Sequence, residues 1–251
     1  MFTFPFGPRP LRFLGAFVAA FVALMISGLA IELVKPLVQT IPVFHNMDGL
    51  VFEELFGVLS YVGTFAAAAA TLWAFTDHAT RTTFTDAIGL RFSDLRERGL
   101  KLFGAGVLGF IGINILTNLL YHFVTLPTPQ SPAADEANAL AGTPLAIFCF
   151  MAVILAPIVE ETVFRGLLQN MLRGVLRGKG TNLLWLRDFV AVVIASAIFA
   201  AAHGTPTGFP VLFISGLMMG VVYWRTGSLW ASMTVHFLNN FTVMMLLVFA
   251  H

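Results

Sequence analysis

The run from Leu145 to Val159 carries no charged side chain, and it leads straight into Glu160-Glu161-Thr162-Val163-Phe164-Arg165. An apolar stretch of this kind has to be buried in protein or lipid, and ionisable groups at its end have to be compensated there. Helical periodicity puts Glu161 and Arg165 (i, i+4) on one face, where carboxylate and guanidinium pair. Glu160 then points about 100° away, with no local partner. A charged residue near the middle of a membrane helix costs about 2.5 to 3.5 kcal/mol on insertion scales, so three such side chains need a purpose. The bland alternative is a solvated helix end at the water interface. The other polar residues decide between the two.

Composition sets the frame for that choice. With 58% hydrophobic residues, 11% charged residues and a mean hydropathy of +0.86, the chain is too apolar for an ordinary soluble domain and reads as a polytopic membrane protein. A net charge of +1 gives no electrostatic case for nucleic acid. The single cysteine, Cys149, sits in an apolar run, excludes an intrachain disulfide, and reads as a small buried hydrophobe. Arg9 and Arg12 precede an apolar stretch, Phe13 to Ala30, that is long enough to span and is read as a retained first helix rather than a cleaved signal.

Apolar stretches predict an all-α bundle of about seven spans, over 11–34, 50–75, 100–124, 144–170, 188–203, 209–224 and 228–250. Period-2 alternation is absent, so barrel strands are not expected. The segment 76–99 is expected to carry a short interfacial helix, and 125–143, rich in Pro and Ala, to form an exposed loop. Two units follow: N-terminal helices and loops over 1–143, and a core over 144–251. Of the 14 Lys and Arg residues, all but Lys35 fall in the segments 1–12, 76–101, 165–187 and 225–228. That bias predicts a cytoplasmic N-terminus.

Two later spans add polar groups in apolar surroundings. Phe199-Ala200-Ala201-Ala202-His203 ends the fifth, and the seventh carries His236-Phe237-Leu238-Asn239-Asn240, with His236 and Asn240 sharing a face. Each feature alone is weak, because a lone histidine or asparagine in such a helix is usually packing or helix-to-helix glue. At about 1.5 Å per residue from the inner boundary, Glu160 comes out about 12 to 21 Å deep, His236 about 12 Å, Asn240 about 18 Å and His203 about 22 Å. One layer can hold them all. The segment Gly204 to Pro210 breaks the helix nearby, and irregular backbone at that depth is tolerated only beside protein or water, so it is expected to border a cavity.

Glu160-Glu161-xxx-Arg165, Phe199-xxx-His203 and His236-xxx-Asn240, in that order on successive spans, resemble the three motifs of the CPBP intramembrane proteases, the type II CAAX prenyl endopeptidases and their Abi-type relatives. The resemblance covers residues 144–245. It implies a membrane-embedded endopeptidase acting on a membrane-associated peptide or a prenylated protein. Residue by residue, it implies Glu160 as general base, His203 as a holder of the attacking water, and His236 with Asn240 as oxyanion donors. Glu161, Arg165 and Phe199 would be supports. Such chemistry suits an uncharged amide donor and a carboxylate in an apolar cavity. "Metalloprotease" is a common label for the family, yet His-Glu-x-x-His is absent, and the expectation is no obligatory metal, with a divalent ion such as zinc as the alternative.

Glu53-Glu54 is a decoy, since position 58 is Val, and is expected at the membrane interface. Two other classes compete. One is a non-enzymatic bacteriocin-immunity or partner-binding protein on the same scaffold, and the other is a small ion-coupled transporter, which the lack of an internal repeat disfavours. The depths of Glu160 and His236 lead to the expectation that substrate arrives from the cytoplasm.

Overall fold

The computed structural model describes residues 33–45, 47–75, 84–127, 132–176 and 184–249, with isolated positions between 15 and 26. All regular structure among these residues is helical. Lipid dictates this: with no water to pair with, each backbone N–H and C=O has to be satisfied within its own helix. The order is α1 (Gly49–Phe75), α2 (Phe84–Ile88), α3 (Phe92–Phe123), α4 (Pro132–Ala139), α5 (Gly142–Val175), α6 (Leu184–Ala202), α7 (Phe209–Thr226) and α8 (Leu229–Phe249). Six of them, all but α2 and α4, are long and apolar enough to cross a membrane. The six match the second to the seventh of the expected spans, and the chain is an integral, multi-pass membrane protein. The first expected span falls largely outside the described residues.

Two local expectations change. The segment 125–143, expected as an exposed loop, contains α4, whose Ala137 and the following Leu140 are buried beside Phe148, Met151 and Met244. Alanine-rich sequence favours helix, and docking on α5 and α8 supplies the burial that eight polar-leaning residues could not announce. Helix α3 begins at Phe92 rather than near residue 100, because it is two helices merged across a non-helical Arg98 (φ −142°, ψ 20°). Of the decoy pair at the start of α1, Glu54 is buried and Glu53 is exposed and paired with Lys35.

One end of the bundle is locked by a corner of backbone contacts. Helix α7 ends at Gly227, whose φ of +65° is the left-handed cap that glycine favours. Gly89, at φ +76°, passes so close that a Cβ there would lie 2.5 Å from the Gly227 carbonyl oxygen. The amide of Leu229 donates to Gly89 O (2.9 Å), the Tyr223 hydroxyl to Ile88 O (2.9 Å), and the Trp230 indole to Arg91 O (3.0 Å). Arg98 grips Asp94 with two nitrogens, at 3.2 and 3.0 Å, and donates a third bond to Thr226 O. On α5 and α6, Arg173 makes the corresponding two-pronged pair with Asp188, both contacts at 3.1 Å.

Small residues set the helix spacing. Gly106 and Gly109 of α3 meet Thr234 and Val235 of α8, while Gly216 and Gly220 of α7 meet Ser196 and Val192 of α6. Apolar side chains gain little from meeting each other in lipid, so close approach and dispersion have to hold such pairs together. A Cβ added at Gly106 would sit 2.5 Å from the Thr234 side chain. Gly106→Leu is therefore expected to destabilise the bundle by about 1 to 3 kcal/mol through overpacking. Thermal unfolding in detergent reads this, and a variant melting with wild type would show that α3 and α8 do not pack as described.

Candidate active site

The candidate groups come together through α5, α6, α7 and α8, and local backbone chemistry decides how. Helix α5 is wound as π-helix over Met151–Leu155 and Thr162–Gln169, with an α-helical turn, Ala156–Glu161, between them. Ala156 N–H donates to Met151 O, five residues back. The next donor in that register is Pro157, which has no N–H, so the Ala152 carbonyl is left over. Asn240 Nδ2 takes it at 2.8 Å. Proline and the wide turn thus tie α5 to α8 beside the site.

Glu161 is fully buried, and three side chains from two helices converge on its carboxylate. Arg165 Nε lies 3.2 Å from Oε2, in ion-pair range but off the line of a hydrogen bond. The Ser232 hydroxyl donates to the same oxygen, and His236 Nδ1 lies 3.1 Å from Oε1. Arg165 is equally buried; it donates to Gly216 O (3.3 Å) and lies 4.6 Å above the Phe199 ring. A buried ion pair is tolerated only when further polar contacts complete it, and this one has them from α7 and α8.

Phe199 organises the aromatic side of the site. Its ring meets Phe164 edge-on (5.2 Å, 89°), His203 at 4.7 Å and His236 at 6.0 Å. His203 Nδ1 is 2.8 Å from Phe199 O. A carbonyl accepts only, so that nitrogen carries a proton, and His236 Nδ1 likewise faces an acceptor in Glu161. The other nitrogen of each ring is thereby turned towards Glu160. Its Oε2 stands 3.9 Å from His203 Nε2 and 3.9 Å from His236 Nε2. That oxygen is buried and has no hydrogen-bond partner. An orphaned carboxylate oxygen facing two imidazoles across a gap too long for direct bonds has room for a small polar molecule between them.

Six of the seven residues picked out in the sequence, Glu160, Glu161, Arg165, Phe199, His203 and His236, are brought to this one locus, and Asn240 stands one helical turn beyond His236 on the Ala152 carbonyl. Ser232 was missed. Its signal lay in the spacing, since Ser232, His236 and Asn240 fall at i, i+4 and i+8 on α8 and share one face. The Ala152 and Gly216 carbonyls carried no side-chain signal at all. Among the described residues, no three His, Cys, Asp or Glu side chains stand in the arrangement of a metal site.

Because Arg165 depends on one carboxylate, Glu161→Ala is expected to cost about 3 to 5 kcal/mol by stranding a buried guanidinium. Glu160→Ala removes no partner of Arg165 at bonding distance, and its unfolding temperature in detergent should stay near that of wild type. Equal melting of the two variants would contradict the division between a supporting carboxylate and an unpaired one.

Comparison with known proteins places this locus. Residues 142–242 match the family model described as "Type II CAAX prenyl endopeptidase Rce1-like". The membrane-embedded CAAX protease MroQ of Staphylococcus aureus (strain USA300) is 30% identical over 110 residues, which cover 44% of this chain and 42% of that protein. An uncharacterized 24.3 kDa protein of Escherichia coli is 30% identical over 147 residues, 57% of this chain and 61% of its own length. The matches thus span about half of each relative. No solved structure matches significantly. The matched segment holds every side chain of the polar cluster, and over residues 142–242 the chain is similar to the Rce1-like, type II CAAX prenyl endopeptidases.

Proposed function

We propose that the chain is an intramembrane endopeptidase in which Glu160 activates water against a peptide bond of a membrane-associated substrate. One observation carries the reading: the unpartnered Glu160 Oε2, held 3.9 Å from two imidazole nitrogens. A water bridging Glu160 and either imidazole at hydrogen-bond lengths of about 2.8 Å fits such a gap. Glu160 takes its proton as the water oxygen attacks the carbonyl carbon. The tetrahedral intermediate then expels the amine, and Glu160 returns the proton to it, so that atoms and charge balance.

The oxyanion needs N–H donors that face it when charge develops. Asn240 keeps a second N–H beyond the one it gives Ala152. His236 donates from Nε2 when both its nitrogens are protonated, a state whose charge the Glu161 carboxylate offsets. Glu161, Arg165, Ser232 and Phe199 act through these groups by fixing α5, α6 and α8 around them. The family resemblance and the MroQ similarity support a protease. A lipidated CAAX-type tail and an unmodified membrane peptide are both compatible with the cluster.

A metal-assisted variant has one observation in its favour. Each histidine gives Nδ1 to a carbonyl or carboxylate and turns Nε2 inward, which is also how zinc ligands are oriented. Glu160, His203 and His236 would then be the ligands, and the ion would supply Lewis acidity. The reading without an obligatory metal is preferred, because these donors do not form a metal-like group of three.

Glu160→Gln keeps the shape but cannot accept a proton, and is expected to lower peptide hydrolysis by about 10²- to 10⁴-fold with the fold intact. Activity within a few-fold of wild type would remove Glu160 from the base role. Dialysis of purified protein against a strong chelator should leave most activity in place. Loss on chelation with recovery on added zinc would favour the metal variant instead.

A further inference from the structure

We infer that the cluster opens at the end of the bundle away from its basic residues, and that the substrates are extended, exocytoplasmic stretches of membrane-anchored polypeptides. This rests on the hydrolase reading and adds to it the side from which a peptide bond arrives.

The helices are tied by successive rungs that can be followed from one end. At the basic end stand the Arg173–Asp188 pair, Arg98 against Thr226 O, and exposed Arg225. Next come Asn170 with the Tyr223 hydroxyl (2.7 Å) and Gln169 with Gly220 O (3.2 Å). One turn further, about 5.4 Å, is Arg165 with Gly216 O, joined by Glu161 and Ser232. Glu160, His203 and His236 lie beyond that layer, with Asn240 on the Ala152 carbonyl as the last rung.

Packing between the basic end and the cluster is closed. Leu167, Gln169, Val192, Phe199 and Met219 are each at most 1% exposed and fill the space below the glutamate. Side-chain exposure then rises across the cluster, from 5% at His236 to 20% at Glu160 and 32% at His203. His203 is the first residue after α6 ends, and Ala201, Ala202, Gly204 and Pro206 around it are exposed as well. Water and substrate therefore reach Glu160 past the broken segment 203–208, not through the layer of Arg165 and Phe199.

The basic residues give that opening a side. With all but Lys35 of the 14 Lys and Arg residues in four segments of one polarity, the basic end is cytoplasmic. The opening is then exocytoplasmic. This reverses the cytoplasmic access expected from depth alone, because distance along a helix says nothing about which flank is packed shut. A peptide bond must be extended and wetted before attack, which suits the outer juxtamembrane stretch of an exported, anchored chain rather than a cytosolic lipidated tail.

The test uses Glu160→Cys, Pro206→Cys and Arg225→Cys, each combined with Cys149→Ser in the full chain and assayed in sealed right-side-out and inverted vesicles. Ala202→Cys serves if Glu160→Cys does not accumulate. An impermeant charged maleimide should label positions 160, 202 and 206 several-fold faster in right-side-out vesicles, and position 225 faster in inverted ones. Labelling of position 160 or 202 on the side of position 225, on neither side, or of all positions with polarity reversed would overturn the inference. In parallel, an acylated, fluorescence-quenched peptide with a charged, impermeant tail is given to wild-type vesicles and to detergent-solubilised protein. Cleavage in detergent that needs Glu160, together with cleavage by right-side-out vesicles alone, supports the inference; cleavage by inverted vesicles alone sinks it. No Glu160-dependent cleavage in detergent would count against the hydrolase reading, while labelling still decides the side of the opening.

Discussion

The Glu161 carboxylate is the charge on which the rest of the structure depends. It is fully buried, yet Arg165, Ser232 and His236 bring it a cation and hydrogen bonds from two helices. In a low-dielectric interior an unpaired carboxylate is intolerable, so the helices have to be arranged around it. Arg165 extends the requirement outward through Gly216 O and the Phe199 ring. The positions of α6, α7 and α8 relative to α5 therefore follow from satisfying one ion pair as much as from apolar packing.

That frame leaves the neighbouring glutamate free. Glu160 is adjacent in sequence to the most constrained carboxylate in the chain, and helical geometry turns it onto another face, where two imidazoles approach without bonding it. Both histidines are held through Nδ1, one by a backbone carbonyl and one by Glu161. On the proposed reading this division is the mechanism's precondition: one carboxylate spends its lone pairs on structure, and the other keeps an oxygen for a substrate or water.

Much of this was legible before any coordinates. Apolar run lengths predicted six of the observed spans, because lipid permits little besides helices. Charged residues in such runs are costly enough to mark themselves, which is why Glu160, Glu161 and Arg165 stood out. Ser232 did not, since a hydroxyl in a membrane helix usually bonds its own i−4 carbonyl, and its only signal was the shared face with His236 and Asn240. Helix α4 was hidden by its polar composition, and the merged start of α3 by Arg98.

By itself the sequence determined the class, an all-helical membrane bundle, and the identity of the residues that cluster in it. Both follow from short-range physics: hydropathy over a span, and the i, i+4 geometry that pairs Glu161 with Arg165 or aligns His236 with Asn240. Only the tertiary structure decided which partner each polar atom takes, as when Pro157 leaves the Ala152 carbonyl to Asn240. It alone placed the packed layer of Leu167, Phe199 and Met219 on one flank of Glu160 and the exposed His203 on the other. Those outcomes depend on contacts between helices far apart in the chain, where no local pattern records which groups will meet or which side stays open.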